Sequence, residues 1–240
     1  MHRTLSYVTC FAILLISAVS TAQADEPASV VPVPRDAKWL ERHTQINDRA
    51  KQGNVDVIFL GDSITQGWND NAVWKKYYGD RHAMNAGIGG DQTQHVLWRL
   101  DNGNIDGIKP KVAVIMIGTN NCGSGAKPED IAAGVKAIVA KLRSKLPETK
   151  ILLLGIFPRD EKPDGAKRLV NKQANQLYRD VADGKNVVYL DIGDKFLAAD
   201  GTLPKETMPD FLHLTEKGYE IWASSIEAKL AELLGDKAKS

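Results

Sequence analysis

The stretch Val57-Ile-Phe-Leu-Gly-Asp-Ser-Ile-Thr-Gln-Gly67 decides how this chain folds. Its first four residues, Val57 to Leu60, are apolar and predict a buried β-strand. The strand pattern stops at Gly61-Asp62-Ser63, and the residues from Ile64 onward indicate the start of a helix. Ser63 would then lie at the end of a buried strand, beside the positively polarised amides of a helix start. That is a favourable place for a nucleophile, because those amides can stabilise a developing oxyanion.

The amino-terminal residues predict export. Arg3 provides a short positive region, residues 8–19 are largely apolar, and Ala22-Gln23-Ala24 has the small-residue pattern of a signal-peptidase site. We therefore predict a signal peptide over residues 1–24, cleavage after Ala24, and a periplasmic or secreted mature protein. An uncleaved membrane anchor is the alternative, but the apolar segment is short for a membrane span.

Composition narrows the class of protein further. The 240 residues are 43% hydrophobic and 25% charged, as is typical of one globular domain. There are 31 basic and 30 acidic residues; without Arg3 the mature chain has 30 of each and no net charge, which disfavours nucleic-acid binding.

Cys10 leaves with the signal peptide, so Cys122 remains without a disulfide partner. We interpret Cys122 as a small space-filling residue, with a nucleophilic role as the alternative. The five histidines show no metal-ligand spacing.

The rest of the chain alternates between strands and helices. Residues 25–36 contain three prolines and predict an extended arm or linker, and residues 37–240 form the predicted catalytic domain. Strands are predicted at 55–60, 83–85, 112–117, 151–157 and 186–190. Helices are predicted at 37–51, from a cap at Asp91 to about 100, at 128–146, 167–182 and 215–234, with a helix or irregular loop at 68–78. This order predicts an α/β fold, a three-layer α/β/α sandwich around a five-stranded, mostly parallel, doubly wound sheet.

Four groups follow predicted strands or precede the last helix: Ser63, Gly90, Asn120 and the loop that contains His213. Ligands of such sheets bind beyond the carboxyl ends of the strands, so we expect these groups to meet there. In Asp210-Phe-Leu-His213, the imidazole could take the Ser63 proton while Asp210 orients it. Taken alone, this spacing is also compatible with incidental loop residues.

Acyl transfer also needs donors directed at the tetrahedral oxyanion. We predict the Ser63 amide, the backbone amide at Gly90 and the Asn120 side chain as these donors. The glycines around Gly90 could instead form only a tight turn, or the start of a phosphate-binding loop; Asp91 argues against the latter because it would repel phosphate. Asn120 could also be an ordinary turn residue.

These residues resemble the four sequence blocks of the SGNH (GDSL) hydrolases. Segments 85–100, 118–121 and 210–215 are similar to the catalytic subunits of platelet-activating factor acetylhydrolase Ib and their bacterial relatives. The similarity extends from about residue 55 to 234. It implies a flavodoxin-like SGNH hydrolase fold, Ser63 as nucleophile, His213 as base and Asp210 as its orienter. It implies no metal or organic cofactor, and because the related animal subunits form dimers, a homodimer is possible.

The sequence thus predicts a secreted serine esterase that removes short acyl groups, acetyl in the first place, from a carbohydrate or lipid ester. A lysophospholipase or thioesterase with a preference for longer chains is the alternative, and a catalytically silent glycan-binding module is a third hypothesis. We expect Asp62, Met208 and Phe211 to contact the substrate. His95, Trp98 and Arg99, although they lie in the matched block, are interpreted as packing or salt-bridge residues.

Overall fold

The computed structural model describes residues 26–69 and 71–239, so the predicted signal peptide lies outside the described residues. Its sheet contains the strands β1 (Val57–Gly61), β2 (Ala83–Gly87), β3 (Val112–Met116), β4 (Lys150–Leu154) and β5 (Val187–Leu190). The strand order is β2-β1-β3-β4-β5, and every neighbouring pair is parallel. The predicted α/β sandwich is confirmed, with a sheet that is wholly rather than mostly parallel.

Helices cover both faces of the sheet. They are α1 (Ala37–Lys51), α2 (Ser63–Gln66), α3 (Ala72–Tyr78), α4 (Thr93–Asp101), α5 (Thr119–Gly123), α6 (Pro128–Lys145), α7 (Ala166–Tyr178) and α8 (Glu216–Leu234). Short 3-10 turns lie at Ala28–Val30, Arg179–Val181 and Gly193–Phe196. Within the described ranges, no helix is long and apolar enough to cross a membrane.

Strand β1 shows why the sheet is buried on both sides. Successive side chains of a strand point to opposite faces. Ile58 and Leu60 therefore pack with α1, α4, α6 and α7, whereas Val57 and Phe59 pack with the layer that contains α3 and α8. All five residues of the strand are buried. Because both faces are covered, the residues that leave the carboxyl ends of the strands are the ones that can meet a ligand.

The predicted helix cap at Asp91 is wrong. Helix α4 begins at Thr93 with Gln92 as its N-cap, and Asp91 is fully buried. The Asp91 carboxylate lies 2.6 Å from the indole nitrogen of Trp39 and 2.9 Å from Nε of Arg99. These two partners, one on the distant helix α1 and one on α4, draw the carboxylate into the interior, away from the end of the helix.

Two predicted elements end earlier than expected. The fourth strand ends at Leu154, where its pairing with Leu190 at the end of β5 also ends, although the segment through residue 157 stays buried. The helix expected over 167–182 ends as an α-helix at Tyr178 and continues only as a 3-10 turn. Apolar runs predict burial better than they predict where hydrogen-bonded pairing stops.

The proline-rich arm packs against the domain instead of leaving it. Ser29 is only 4% exposed, and its hydroxyl donates to the Asp130 carbonyl at 2.6 Å. The Thr93 hydroxyl donates to the Ser29 carbonyl at 2.8 Å, so the arm is held between α4 and α6. At its other end, the Asp36 side chain accepts the Trp39 amide at 3.0 Å and caps α1.

Gly87 allows the short helix α2 to lie against the end of β2. A Cβ at Gly87 would lie 2.2 Å from the backbone nitrogen of Gln66 and 2.7 Å from the carbonyl carbon of Thr65. We expect Gly87→Ala to lower the free energy of unfolding by about 1–3 kcal/mol, because backbone atoms must shift to make room. Denaturant unfolding followed by circular dichroism measures this change.

Gly123→Ala is the matched control. A Cβ at Gly123 would meet only the end of the flexible Arg159 side chain, at 3.4 Å. We expect this variant to be as stable as the wild type or more stable, because alanine favours a helix over glycine. Equal stability of the Gly87 and Gly123 variants would contradict the proposed close packing of α2.

Candidate active site

Ser63 is the first residue of α2, directly beyond β1. The preceding residue, Asp62, caps this helix by accepting the Ile64 amide at 2.9 Å. The Ser63 hydroxyl oxygen lies 2.9 Å from Nε2 of His213. These two residues are 150 positions apart in the chain, and the fold brings them into hydrogen-bond contact.

A tight turn before α8 joins Asp210 to His213. One Asp210 oxygen accepts the backbone amides of Leu212 at 3.1 Å and His213 at 2.7 Å. The other oxygen lies 2.7 Å from Nδ1 of His213. Phe211 between them has a φ of +57°, a left-handed conformation that is costly for a residue with a side chain. The turn therefore includes an unfavourable backbone conformation, and this conformation places the imidazole against the carboxylate.

These contacts favour one arrangement of protons. Burial by itself would raise the pKa of Asp210, but hydrogen bonds from the His213 amide and imidazole, with the Leu212 amide, bring it below its usual value. An ionised carboxylate only accepts hydrogen bonds, so Nδ1 of His213 carries the hydrogen. Nε2 is then free to accept the Ser63 proton. This arrangement can act as a nucleophile with a general base.

Helix α8 connects the histidine loop to the serine helix. The Tyr219 hydroxyl donates to the carbonyl of Ile64, directly after the serine, at 2.8 Å. The Tyr219 ring lies 4.4 Å from that of Trp68, which is fully buried. At the start of α8, the Thr215 hydroxyl accepts the Gly218 amide and caps the helix. Both sides of the Ser63–His213 contact are thus fixed to one packed layer.

Besides Ser63 itself, the expected oxyanion donors are Gly90, on the loop between β2 and α4, and Asn120, in the short helix α5. A Cβ at Gly89 would lie 3.8 Å from Cβ of Ser63, so this loop borders the serine. Gly90 has a φ of +78°, and its amide makes no hydrogen bond within the described part of the chain. The Asn120 side-chain nitrogen donates to the Asp91 carbonyl at 2.9 Å and retains a second hydrogen for a ligand.

Asp62 and Met208 were expected to contact the substrate, but their positions in the fold do not allow it. Both side chains are fully buried, so neither offers surface to a substrate. Asp62 instead caps α2, while Met208 belongs to the apolar core on the α8 side of the sheet. Phe211 is half-buried, and Nζ of Lys205 lies 5.7 Å from its ring. Of the three residues, only Phe211 keeps surface near the histidine turn.

Other residues that the sequence singled out have structural roles. Cys122 is buried and burial raises the pKa of its thiol, which disfavours the nucleophilic thiolate. Arg99 is buried against Asp91, and Trp98 packs 5.4 Å from the Trp39 ring. Nδ1 of His95 accepts the backbone amide before α4 at 2.9 Å. Among the described residues, no group of three potential ligands could hold a metal ion.

Three residues near the site were not found from the sequence. The Gln66 side chain accepts the Gly89 amide at 2.6 Å. Trp39 holds the buried Asp91 carboxylate, and Arg35 donates to the Gly89 carbonyl at 2.7 Å. Gln66 lies within the serine motif and could have been suspected from its proximity alone. Nothing in the proline-rich arm indicates that Arg35 reaches this loop.

A parallel sheet that carries a serine in contact with a histidine–aspartate pair occurs in hydrolases that act by acyl transfer, ester hydrolases among them. A family model described as the GDSL-like Lipase/Acylhydrolase family matches residues 59–221, and the chain belongs to this family. The resemblance to the SGNH (GDSL) hydrolases is thereby confirmed, and the chain is a carboxylic ester hydrolase.

Individual relatives agree with this assignment. Platelet-activating factor acetylhydrolase IB subunit alpha1 of Homo sapiens is 36% identical over 212 residues, which cover 88% of this chain and 90% of the relative. The alpha2 subunit of Rattus norvegicus is 37% identical over 219 residues, covering 89% and 94%. The crystal structure of a GDSL-like lipase from Bacteroides thetaiotaomicron has a TM-score of 0.61 at 18% identity, covering 80% of this chain and 97% of that one. It supports the fold alone.

Asp62 makes the stability of the protein depend on pH. Burial, together with the nearby Asp91, raises its pKa from 3.8 to about 7 against the opposing Ile64 amide. The folded protein therefore keeps a proton that the unfolded chain has released between about pH 4 and 7. Over this window, we expect the contribution of Asp62 to the free energy of unfolding to fall as pH rises, by up to about 4 kcal/mol. Asp62→Asn, which keeps the capping oxygen but cannot ionise, should lack this contribution.

Asp36→Asn is the control, because Asp36 caps α1 at an exposed position. The Trp39 amide lowers the pKa of Asp36, so its contribution has the opposite sign and is lost as pH falls. Urea unfolding of the wild type and both variants from pH 4 to 8 measures the differences. Parallel curves for the wild type and Asp62→Asn would show that Asp62 ionises normally.

Proposed function

We propose that this ester hydrolase is an exported serine esterase that removes acetyl or similarly short acyl groups from a carbohydrate or lipid ester. Ser63 is the nucleophile, His213 the general base and Asp210 its orienter. The observation that carries the proposal is the pair of contacts from the Ser63 oxygen to Nε2 of His213, at 2.9 Å, and from Nδ1 to Asp210, at 2.7 Å.

The reaction proceeds through an acyl-enzyme. Oγ of Ser63 forms a bond to the ester carbonyl carbon while its proton moves to Nε2 of His213. The tetrahedral intermediate collapses, the ester C–O bond breaks, and the leaving alcohol takes the proton from Nε2. A water molecule then attacks the acyl-enzyme and gives its proton to the same nitrogen. Release of the carboxylic acid returns that proton to Ser63.

Three donors stabilise the negative charge that develops on the carbonyl oxygen. The Ser63 amide lies at the amino end of α2, the Gly90 amide lies on the adjacent loop, and the Asn120 side chain retains one free hydrogen. Loss of one such donor typically costs a factor of about 10²–10³ in kcat. Asp210, which orients and stabilises the imidazolium, stays ionised during the reaction.

The preference for a short acyl group rests on the relatives. The proteins that are 36–37% identical over most of this chain are named as acetylhydrolases, and acetyl is the acyl group in that name. Export rests on the sequence of residues 1–24, and an exported enzyme meets esters outside the cytoplasm. Acetylated sugars, cell-wall esters and lysolipids are therefore the substrates to compare.

We expect Ser63→Ala and His213→Ala to lower kcat for p-nitrophenyl acetate by at least about 10³-fold, because nucleophile and base act as a unit. Asp210→Ala should cost less, since the imidazole remains in place. Initial rates at pH 7–8 measure these effects. Cys122→Ala is the control, because Cys122 is the alternative nucleophile, and its rate should equal that of the wild type. A Ser63→Ala variant as active as the wild type would overturn the proposed function.

Acyl length separates the acetylesterase from the lysophospholipase or thioesterase alternative. We expect kcat/KM for p-nitrophenyl esters to be highest at two to four carbons and to fall steadily towards sixteen. A preference that rises beyond eight carbons would favour the alternative. The same mature protein, compared on acetyl-xylan, acetylated sialic acid, peptidoglycan and lysophospholipid, would then identify the alcohol part of the ester.

A further inference from the structure

Arg35 brings a positive charge from the arm to the loop that contains the expected oxyanion donor. Its Nη1 donates to the Gly89 carbonyl at 2.7 Å and lies 3.4 Å from the Asp91 carboxylate. A Cβ at Gly90 would lie 3.0 Å from both Nη1 and Nη2. The guanidinium therefore lies directly against the Gly89–Gly90 peptide.

The partner of Arg35 is one half of a single peptide group. The Gly89 carbonyl and the Gly90 N–H belong to the same amide, which is planar and resonance-stabilised. A charged donor on the carbonyl oxygen draws electron density from the nitrogen and polarises the N–H, as in cooperative hydrogen-bond chains. It also fixes the rotation of the peptide plane, and so the direction of that N–H.

We propose that Arg35 is a positioning residue for ester hydrolysis, which holds and polarises the Gly89–Gly90 peptide so that the Gly90 N–H stabilises the oxyanion. The proposal rests on the proposed function, because it presupposes that an oxyanion forms beside Ser63. It assigns the arm, which the sequence indicated only as an extended segment or linker, to the working parts of the enzyme.

The loop is held on both sides of Gly89. The Gly89 amide, which belongs to the preceding peptide, donates to the Gln66 side chain at 2.6 Å. The following peptide is held through its carbonyl by Arg35. One restraint thus comes from the serine helix and the other from the arm. Gly90 has a φ of +78°, and a glycine can adopt many other backbone conformations as readily. Restraints on both sides of Gly89 are therefore needed to keep the loop in this one.

The arm is itself fixed at both ends of the segment that carries Arg35. Ser29 is buried between α4 and α6, and Asp36 caps α1. Between them, the Val33 amide donates to the Gln94 carbonyl at 3.4 Å. The Arg35 side chain is 28% exposed, so its charge is partly shielded from water and acts more strongly on its neighbours.

A purely structural ion pair with Asp91 is the competing explanation. The Asp91 carboxylate already has Trp39 at 2.6 Å and Arg99 at 2.9 Å, whereas Arg35 is farther away at 3.4 Å. The shortest contact of Arg35 is the one to the Gly89 carbonyl. This order of distances favours a role in the loop over a role in the buried pair.

The test compares Arg35→Ala and Arg35→Lys with Arg42→Ala. Arg42 also donates to carbonyls of this region, Asn85 at 3.2 Å and Gly87 at 3.4 Å, but not to the peptide that carries the Gly90 N–H. For each variant, the wild type and Ser63→Ala, we would measure kcat and KM with p-nitrophenyl acetate and the midpoint of thermal unfolding. We would also measure whether millimolar guanidinium chloride restores the rate.

We expect Arg35→Ala to lower kcat about 10–100-fold, less than the loss of a whole donor. Acylation and deacylation both pass through an oxyanion, so the rate constants of the two steps should fall by similar factors. KM should therefore change less than about twofold. Guanidinium should restore part of the rate, and Arg35→Lys, which keeps the charge and a donor, should be intermediate. Arg42→Ala should stay within about twofold of the wild type.

Three results would overturn the proposal: a kcat for Arg35→Ala within twofold of the wild type, equal losses in the Arg35 and Arg42 variants, or an effect on KM alone. If Arg35→Ala is too unstable to assay, Arg35→Lys decides, and a stable Arg35→Lys with wild-type kcat and no response to guanidinium would count against it. A wild type without Ser63-dependent hydrolysis would overturn the proposed function as well, so the two failures are distinguishable.

Discussion

The contacts that hold the buried carboxylate of Asp91 are the constraint on which the structure at the carboxyl edge of the sheet depends. Trp39 and Arg99 hold it at 2.6 Å and 2.9 Å, Arg35 approaches at 3.4 Å, and its own backbone carbonyl accepts the Asn120 side chain. Burial raises the pKa of Asp91, while Arg99, Trp39 and Arg35 favour the ionised form. A buried charge is tolerated only with such partners, and the partners of this carboxylate come from the arm, α1 and α4.

The two halves of the proposed catalytic apparatus are built in different ways. The base and its orienter depend on a local turn, in which Asp210 accepts two amides and the imidazole of the residue three positions on. Both side chains are about half exposed. The other half, the Gly89–Gly90 loop and Asn120 that carry expected oxyanion donors, depends on long-range contacts to buried groups, above all Asp91. The carboxyl edge of the parallel sheet brings the two halves together at Ser63.

The sequence predicted much of this arrangement, and its errors have physical causes. Continuous apolar strands and intervening helices gave the sandwich, because burial on both faces leaves a clear pattern. Asp91 was mistaken for a helix cap since an aspartate before a helix is usually exposed there. Met208 and Asp62 were expected to touch the substrate, but solvent exposure depends on what packs over a residue, and neighbours distant in sequence decide that.

By itself, the sequence determined the sheet, the place of Ser63 at the end of β1, and the grouping of Gly90, Asn120 and His213 at one edge. Each of these follows from a local pattern and from the rule that parallel strands end on the same side. Only the tertiary structure decided the burial of Asp91, the restraint of Gly89 by Gln66 on one side and Arg35 on the other, and the path of the arm. The contacts of Gln66 and Arg35 with Gly89, and of Trp39 with Asp91, join residues 23 to 54 positions apart. Their pairing leaves no periodic signal in the sequence, so these contacts are visible only once the chain has folded.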